Sequence, residues 1–232
     1  MGYAIVHEDG LVLFDTGVGT GSAHIDAYRP AVHDVREAFR DAGLDPAAVR
    51  LIVNCHLHFD HCGQNRSFPG VSIVAQRRER EAARVPGYTV PEWVDFPGAR
   101  YELVDGERAL LPGLRVIPTP GHTPGHQSAI LETGDGPVLL AGQAVQDRAE
   151  WESGVPAHAS VDERASYISA SARSVLFASS SATMQCRGIR PGELRISVFG
   201  GVNLTGPDVV RQLVTDGHEV LGYLGQGFSR SD

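Results

Sequence analysis

The stretch His56-Leu57-His58-Phe59-Asp60-His61 decides the fold, because it places three imidazoles and one carboxylate within six positions. Residues 51–55 before it are mostly apolar, which predicts a buried strand with the histidines in the loop at its carboxyl end. Open α/β folds carry their chemistry at that end of their strands. In extended backbone His56 and His58 project to one side, so both can bind one cation. The stretch therefore predicts a metal site with ligands that suit zinc, in preference to a histidine-rich surface turn.

Two segments of the chain resemble the metal motifs of the metallo-β-lactamase superfamily. The first is His56-x-His58-x-Asp60-His61. The second is Thr119-Pro120-Gly121-His122-Thr123-Pro124-Gly125-His126-Gln127-Ser128, which is similar to the second metal segment of the quorum-quenching N-acyl homoserine lactonase branch. The likeness covers about residues 3 to 183. It implies an α/β fold, a four-layer αββα sandwich.

The resemblance also implies roles for individual side chains. His56, His58 and His122 would hold one zinc ion, while Asp60 and His61 would face a second metal position. Zinc lowers the pKa of bound water, which gives a hydroxide that attacks a carbonyl carbon. The catalytic carboxylate would be Asp60, which orients that hydroxide and accepts or returns the proton.

The chain is expected to open with a β-hairpin that leads to one further candidate site residue. Residues 3–7 and 11–14 are apolar and flank an Asp-Gly turn signal. Asp15 follows in the sequence Asp15-Thr16-Gly17 and is similar to the family carboxylate that lies behind the metal histidines and fixes their tautomer. Without the resemblance, an ordinary turn-forming aspartate is equally compatible with this position.

The chain departs from the family pattern at three positions near the expected second metal. Gln143 stands where the family has an Asp that bridges two metals, Gln146 where the lactonase branch tends to have a Tyr, and Ser179 where the last metal His belongs. Two dications ~3.5 to 4 Å apart repel by on the order of 18 kcal/mol at an effective dielectric of 20, which bridging anions must offset. We therefore expect one well-held zinc and a second that is weak or absent.

Composition limits the classes of function. Hydrophobic residues make up 42% and charged residues 21% of the 232 positions, which is typical of a globular protein. The net charge of −8 argues against nucleic acid or an anionic membrane as a partner. No apolar stretch approaches a membrane helix or a signal peptide, so a cytoplasmic location is expected. Cys55, Cys62 and Cys186 are an odd count without paired spacing, so a disulfide framework is not expected, and Cys62 is interpreted as a small turn residue rather than a ligand.

The segments between the motifs are interpreted as scaffold. Helical spacing predicts a helix from residue 31 to 42 that ends at Gly43, and residues 76–84 are interpreted as a charged, solvated helix. Residues 86–97 predict a loop over the site. Its aromatic side chains could line a substrate pocket or seal the core equally well; they are Tyr88, Trp93 and Phe96.

The last part of the chain does not resemble the lactonase pattern. We divide the sequence into a hydrolase domain, residues 1–185, and a short βαβ appendage, residues 186–232. The appendage resembles the opening of an NAD(P)-binding epimerase-like Rossmann unit, with a strand at 195–200 and a helix at 207–214. Asn203 replaces the middle glycine of that motif, and the fragment is too short to bind a dinucleotide alone, so no nucleotide cofactor is expected.

The sequence as a whole predicts a zinc-dependent hydrolase of a small ester or lactone, with an N-acyl homoserine lactone as the expected substrate. Two alternatives stay open. One is a thioester or glyoxalase-type hydrolase of the same fold. The other is a degenerate member that binds one metal or a small ligand without catalysis, which Gln143 and Ser179 would favour. The sequence does not predict an oligomeric state.

Overall fold

Two β-sheets form the framework of the computed structural model, which describes residues 2–27, 29–30, 32–133, 136–144, 176–178 and 195–199. In chain order the strands are β1 (Gly2–His7), β2 (Gly10–Phe14), β3 (Val49–Val53), β4 (Ser72–Gln76), β5 (Arg100–Val104), β6 (Arg108–Leu111), β7 (Leu114–Pro118), β8 (Gln127–Thr133), β9 (Gly136–Leu140), β10 (Leu176–Ala178) and β11 (Arg195–Phe199). One sheet has the order β11-β1-β2-β3-β4-β5, and the other has the order β10-β9-β8-β7-β6.

Short helices connect the strands. They are α1 (Ala23–Asp26), α2 (Val35–Asp41), α3 (Phe59–Cys62), α4 (Arg77–Ala82) and α5 (Pro91–Val94), with 3-10 turns at Pro46–Ala48 and Asn65–Ser67. The helix expected from residue 31 begins later, at Val35, because the Asp34 carboxylate accepts hydrogen bonds from the backbone N–H groups of Arg36 and Glu37. Gly43, at a φ of 71°, follows the end of this helix, as predicted.

The first sheet brings three loops to one edge. β1 and β2 form the predicted antiparallel hairpin, whereas β2, β3, β4 and β5 run parallel to one another. The carboxyl ends of parallel strands lie at the same edge of a sheet. Asp15 after β2, the histidine stretch after β3 and α4 after β4 therefore lie side by side.

The hydrophobic core lies between the two sheets. Phe14 and Val53 of the first sheet belong to the same buried cluster as Val116, Leu131 and Leu140 of the second. On the outer face of the first sheet, the buried residues of α2 pack with those of β2 and β3. These contacts show one helical layer and two sheets of the expected αββα sandwich.

Gln127, the first residue of β8, joins the two sheets beside the histidine stretch. Its backbone N–H donates to the Cys55 carbonyl oxygen at 2.8 Å, and its side-chain amide donates to the Asn54 carbonyl oxygen at 2.8 Å. Its side-chain oxygen accepts from Gln76 Nε2 at 2.9 Å. Gln127 is fully buried. The second histidine segment is thereby held against the end of β3.

The carboxyl-terminal region contributes one described strand to the first sheet. β11 pairs antiparallel with β1, with Tyr3 opposite Val198. The helix expected at 207–214 and Asn203 lie outside the described residues, so the division of the chain at residue 185 stays a prediction. Within the part of the chain that is described, no helix has the length and apolar character needed to cross a membrane.

Candidate metal centre

Three imidazole nitrogens converge where the two sheets meet. His56 follows β3, His58 precedes the first turn of α3, and His122 lies in the loop between β7 and β8. His56 Nε2 lies 3.1 Å from His58 Nδ1, and His122 Nε2 lies 3.2 Å from the same atom. The ligand nitrogens of all three residues lie within 4.8 Å of one another.

This spacing fits a tetrahedral zinc ion. Zinc binds imidazole at about 2.0–2.1 Å, which places two nitrogens of a tetrahedron about 3.3 Å apart. The observed separations of 3.1 and 3.2 Å are close to that value. Three such ligands leave one coordination position open, the arrangement of catalytic rather than structural zinc sites.

Burial keeps the deepest of these imidazoles in its metal-binding form. His56 is fully buried, and burial together with the neighbouring imidazoles lowers its pKa well below the ordinary value. Burial also lowers the pKa of the half-buried His58, against the carboxylates of Asp60 and Glu79, which raise it. A neutral imidazole is the form that binds a metal ion.

Asp60 and His61 lie together beside the three histidines, on the α3 turn. His61 Nε2 lies 3.4 Å from an Asp60 carboxylate oxygen, and His61 Nδ1 lies 2.8 Å from an Asp15 carboxylate oxygen. Burial opposes a charged imidazole here, but Cys55, Asp60 and Asp15 raise the pKa of His61 well above its ordinary value. Burial would raise the pKa of Asp60, but His61 lowers it below the usual range, so this carboxylate is ionised.

Asp15 is buried behind His61 and is bonded to the end of β3. Its Oδ1 accepts the Cys55 backbone N–H at 2.8 Å, and its Oδ2 accepts the Cys55 thiol at 2.9 Å. Asp15 has a φ of 61°, a conformation that Asp tolerates better than most side chains. These bonds fix the carboxylate relative to the His61 ring. The structure thus places the Asp15 carboxylate within hydrogen-bond distance of the His61 ring, and its role in orienting a metal histidine stays a prediction.

His126 was not assigned as a ligand from the sequence, and the structure gives both of its nitrogens other partners. The Ser128 hydroxyl donates to the Ala141 carbonyl oxygen, so it must accept the bond from the Thr119 hydroxyl. The Thr119 hydroxyl has then used its only hydrogen, so it accepts from His126 Nδ1. His126 Nε2 is then free of a proton and accepts the backbone N–H of Gln143 at 3.1 Å. This chain of hydrogen bonds fixes the turn that carries Gln143 next to the histidines.

The Gly142 turn packs closely against Cys55 and His126 and gives a first testable prediction. A Cβ at Gly142 would lie 2.7 Å from Cys55 Cβ and 2.9 Å from His126 Nε2. We expect Gly142→Ala to cost about 1–3 kcal/mol of stability more than Gly43→Ala, as measured by urea unfolding. Gly43 is the matched control because its φ is also positive, at 71°, and a Cβ there meets nothing within 4 Å. Equal costs for the two variants would contradict the close packing of this turn.

The helix expected at residues 76–84 is observed as α4, and Arg77, Arg78 and Glu81 are exposed as expected, but Glu79 contradicts the expectation of a solvated helix. Glu79, on α4, has 0% exposure, and its carboxylate accepts hydrogen bonds from residues of both histidine segments. Its burial was not predicted from the sequence, because the residues on both sides of it are charged and no apolar pattern marks a buried face. The available signal was its position, since α4 follows β4, whose carboxyl end lies beside that of β3.

The expected aromatic loop divides between core and site. Trp93 and Phe96 are buried, at 1% and 8% exposure, and so seal the core. The half-buried Tyr88 ring lies with its centroid 4.7 Å from that of His58 and is the member that reaches the site. Cys62 is buried and its thiol lies 3.4 Å from the Leu57 carbonyl oxygen, outside the three-histidine cluster.

Four of the residues named from the sequence lie outside the described residues: Gln146, Ser179, Cys186 and Asn203. The predicted loss of the last metal histidine therefore stays a prediction. Of the other two cysteines, both Cys55 and Cys62 are free thiols, in agreement with the expectation of no disulfide framework for this part of the chain.

Comparisons with known proteins agree with the fold. A family model described as the metallo-beta-lactamase superfamily matches residues 2–181. An N-acyl homoserine lactonase of a Bacillus species is 32% identical over 168 residues, which are 66% of this chain and 67% of that protein. The N-acyl homoserine lactonase AttM of Rhizobium johnstonii is 30% identical over 175 residues, 65% of this chain and 66% of that protein.

Solved structures of N-acyl homoserine lactone hydrolases also resemble this chain in fold. A crystal structure of Bacillus thuringiensis AiiA with N-decanoyl-L-homoserine bound at the active site is 28% identical, with a TM-score of 0.62 and coverage of 71% of each chain. An N-acyl homoserine lactone hydrolase with N-hexanoyl-L-homoserine at its catalytic metal centre is 29% identical, with a TM-score of 0.60 and coverage of 68% of each chain. This chain belongs to the metallo-β-lactamase superfamily.

Proposed function

We propose that this protein is a zinc-dependent hydrolase that opens the ring of an N-acyl homoserine lactone or a similar small ester. The observation that carries the proposal is the convergence of three imidazole nitrogens at tetrahedral spacing, 3.1 and 3.2 Å apart. The similar proteins that are named as lactonases support the substrate class. A zinc ion bound there would polarise a carbonyl group and lower the pKa of a water molecule.

The side chains around the proposed zinc position would have different roles in binding and catalysis. His56 forms the buried floor, whereas His58, His122 and Asp60 are half buried and face the accessible side. The ionised Asp60 carboxylate would orient the attacking water and accept its proton. Tyr88, beside His58, would offer an aromatic surface to an acyl chain.

A single strongly held zinc is the second part of the proposal. The turn after β9 carries Gln143, a neutral amide, and its backbone is fixed by His126. The carboxylate that would offset the repulsion between two dications is therefore missing from this position. Asp60 and His61 alone would hold a second ion weakly.

The direct test is zinc content per chain by elemental analysis, together with hydrolysis of an N-acyl homoserine lactone, an aryl ester and a thioester. We expect about one zinc per chain and turnover of the lactone. Preferred turnover of the thioester would replace the lactone by a glyoxalase-type substrate. One zinc without turnover of any of the three would favour the second candidate function, a non-catalytic metal-binding member, which the neutral Gln143 favours.

Restoring the family ligands separates the two candidates. In the double variant Gln143→Asp/Ser179→His we expect zinc content to rise from about one towards two per chain, because the missing anion and imidazole return. A large gain in both zinc content and turnover, about tenfold or more in turnover, would favour the degenerate member. Unchanged turnover with two zinc ions would indicate an enzyme that works with one. Gln143→Asn is the matched control, because it adds no charge and should leave the zinc content unchanged.

A further inference from the structure

Glu79 is a buried carboxylate that accepts four hydrogen bonds next to the candidate metal centre. Its Oε1 accepts the Leu57 backbone N–H at 2.8 Å and the Tyr88 hydroxyl. Its Oε2 accepts the Thr123 hydroxyl at 2.7 Å and the Gly125 backbone N–H at 3.2 Å. The side chain is fully buried. No part of the chemistry proposed above uses it.

Three of its four partners lie in the two segments that carry the three histidines, and the fourth is Tyr88. Leu57 lies between His56 and His58, and Thr123 follows His122 directly. Tyr88 contacts the ring of His58, with ring centroids 4.7 Å apart. The two histidine segments belong to different sheets, so a single carboxylate joins them across the sandwich.

The arrangement suits a carboxylate and no neutral substitute. A buried carboxylate is stable only when its lone pairs are satisfied, and all four groups that face Glu79 are hydrogen-bond donors. An amide at this position would turn an N–H group towards either the first or the second pair of donors. Two donors would then lose their acceptor.

The second segment also approaches Glu79 as closely as a chain can. A Cβ at Gly125 would lie 2.1 Å from the backbone nitrogen of Glu79 and 2.5 Å from its Cα. The loop with His122 therefore rests on the backbone of α4 as well as on the carboxylate. This contact leaves the loop little freedom to move relative to the helix.

We propose that Glu79 is a positioning residue that sets the separation of the three zinc-binding imidazoles. It does so through the backbone at Leu57 and through Thr123 and Gly125, without contacting the metal. The inference rests on the proposed metal site, and it assigns to Glu79 the positioning of the segments whose imidazole nitrogens lie 3.1 and 3.2 Å apart.

The test compares Glu79→Gln with Glu81→Gln, a fully matched substitution at an exposed position of the same helix. Zinc affinity of the folded chain is measured by competition with a chromogenic chelator, and lactone hydrolysis is measured at saturating zinc. We expect Glu79→Gln to weaken zinc binding about 10- to 100-fold, the range seen for groups that orient metal ligands. Glu81→Gln should change it less than twofold.

Further variants keep the inference testable if Glu79→Gln does not fold. Thr123→Val preserves shape but removes one bond to the carboxylate, and we expect it to weaken zinc binding about 3- to 10-fold. Combined with Glu79→Gln where that variant folds, it should add little, because both changes break the same contact. Wild-type zinc affinity in either single variant would overturn the inference, even if thermal stability fell, because the role would then be structural only.

The outcomes also separate this inference from the proposed function. If the parent binds zinc but hydrolyses none of the test substrates, the proposed function fails while the affinity measurements still decide the role of Glu79. If the parent hydrolyses lactone and Glu79→Gln retains its zinc affinity and turnover, only the role of Glu79 fails. A parent that binds no zinc overturns both.

Discussion

Replacing His122 with alanine should reduce lactone hydrolysis by more than about a hundredfold and lower zinc content well below one per chain. Residues that only orient a zinc ligand cost about 10- to 100-fold when they are changed, so the loss of one of three direct ligands should cost more. His122 is also the ligand from the second sheet, whereas His56 and His58 follow a strand of the first. The measurements are elemental analysis and initial rates at fixed added zinc.

His7→Ala is the matched control for this prediction. His7 belongs to another set of potential ligands close enough to share a cation, with Glu8 and Asp9 at the hairpin turn. That turn lies at the opposite edge of the sheet from the carboxyl ends of the parallel strands. We expect His7→Ala to retain zinc and activity. Loss of zinc from His7→Ala but not from His122→Ala would place the ion at the hairpin and contradict the proposed centre.

Asp60→Asn should lower kcat by about 10²- to 10⁴-fold while zinc content stays near one per chain. A positioned carboxylate that accepts a proton contributes a factor of this size, and the amide cannot accept that proton. Zinc should remain because the three imidazoles are expected to bind it without Asp60. The Asp60 carboxylate lies 3.4 Å from His61 Nε2, at the expected second metal position. The effect should fall on kcat with little change in KM.

The control for Asp60 is Asp41→Asn, an equivalent change of charge at the exposed end of α2. Its rates should stay within twofold of the parent. Zinc loss in Asp60→Asn in parallel with activity would show that Asp60 is needed to hold the ion. Retention of both zinc and full activity would exclude Asp60 as the proton acceptor and leave that step to another group.

The local parts of this fold were predictable from sequence, because short-range chemistry determines them. The Asp-Gly signal correctly indicated the hairpin of β1 and β2. The alternation of His56 and His58 behind an apolar run correctly placed both in the loop after a buried strand. The start of α2 was misplaced by four residues because helical spacing continued before Asp34, whose side chain decides where the helix begins.

The parts that could not be predicted depend on contacts between distant segments. Glu79 stands among charged residues in the sequence, and its burial follows from four donors on three other segments. The tautomer of His126 depends on a series of hydrogen bonds through Thr119 and Ser128 to the carbonyl oxygen of Ala141. No periodicity in the sequence encodes such pairings, so only the folded chain reveals them.

The bonds of Gln127 hold together the two segments that carry the proposed zinc ligands. Its side chain and backbone form hydrogen bonds that join β8 to the residues after β3. The proposed zinc ligands lie in the segments next to these bonds, with His56 and His58 after β3 and His122 before β8. A zinc ion bound by the three histidines would therefore form a second link between these two segments. Its binding would also raise the free energy of unfolding of the chain by mass action.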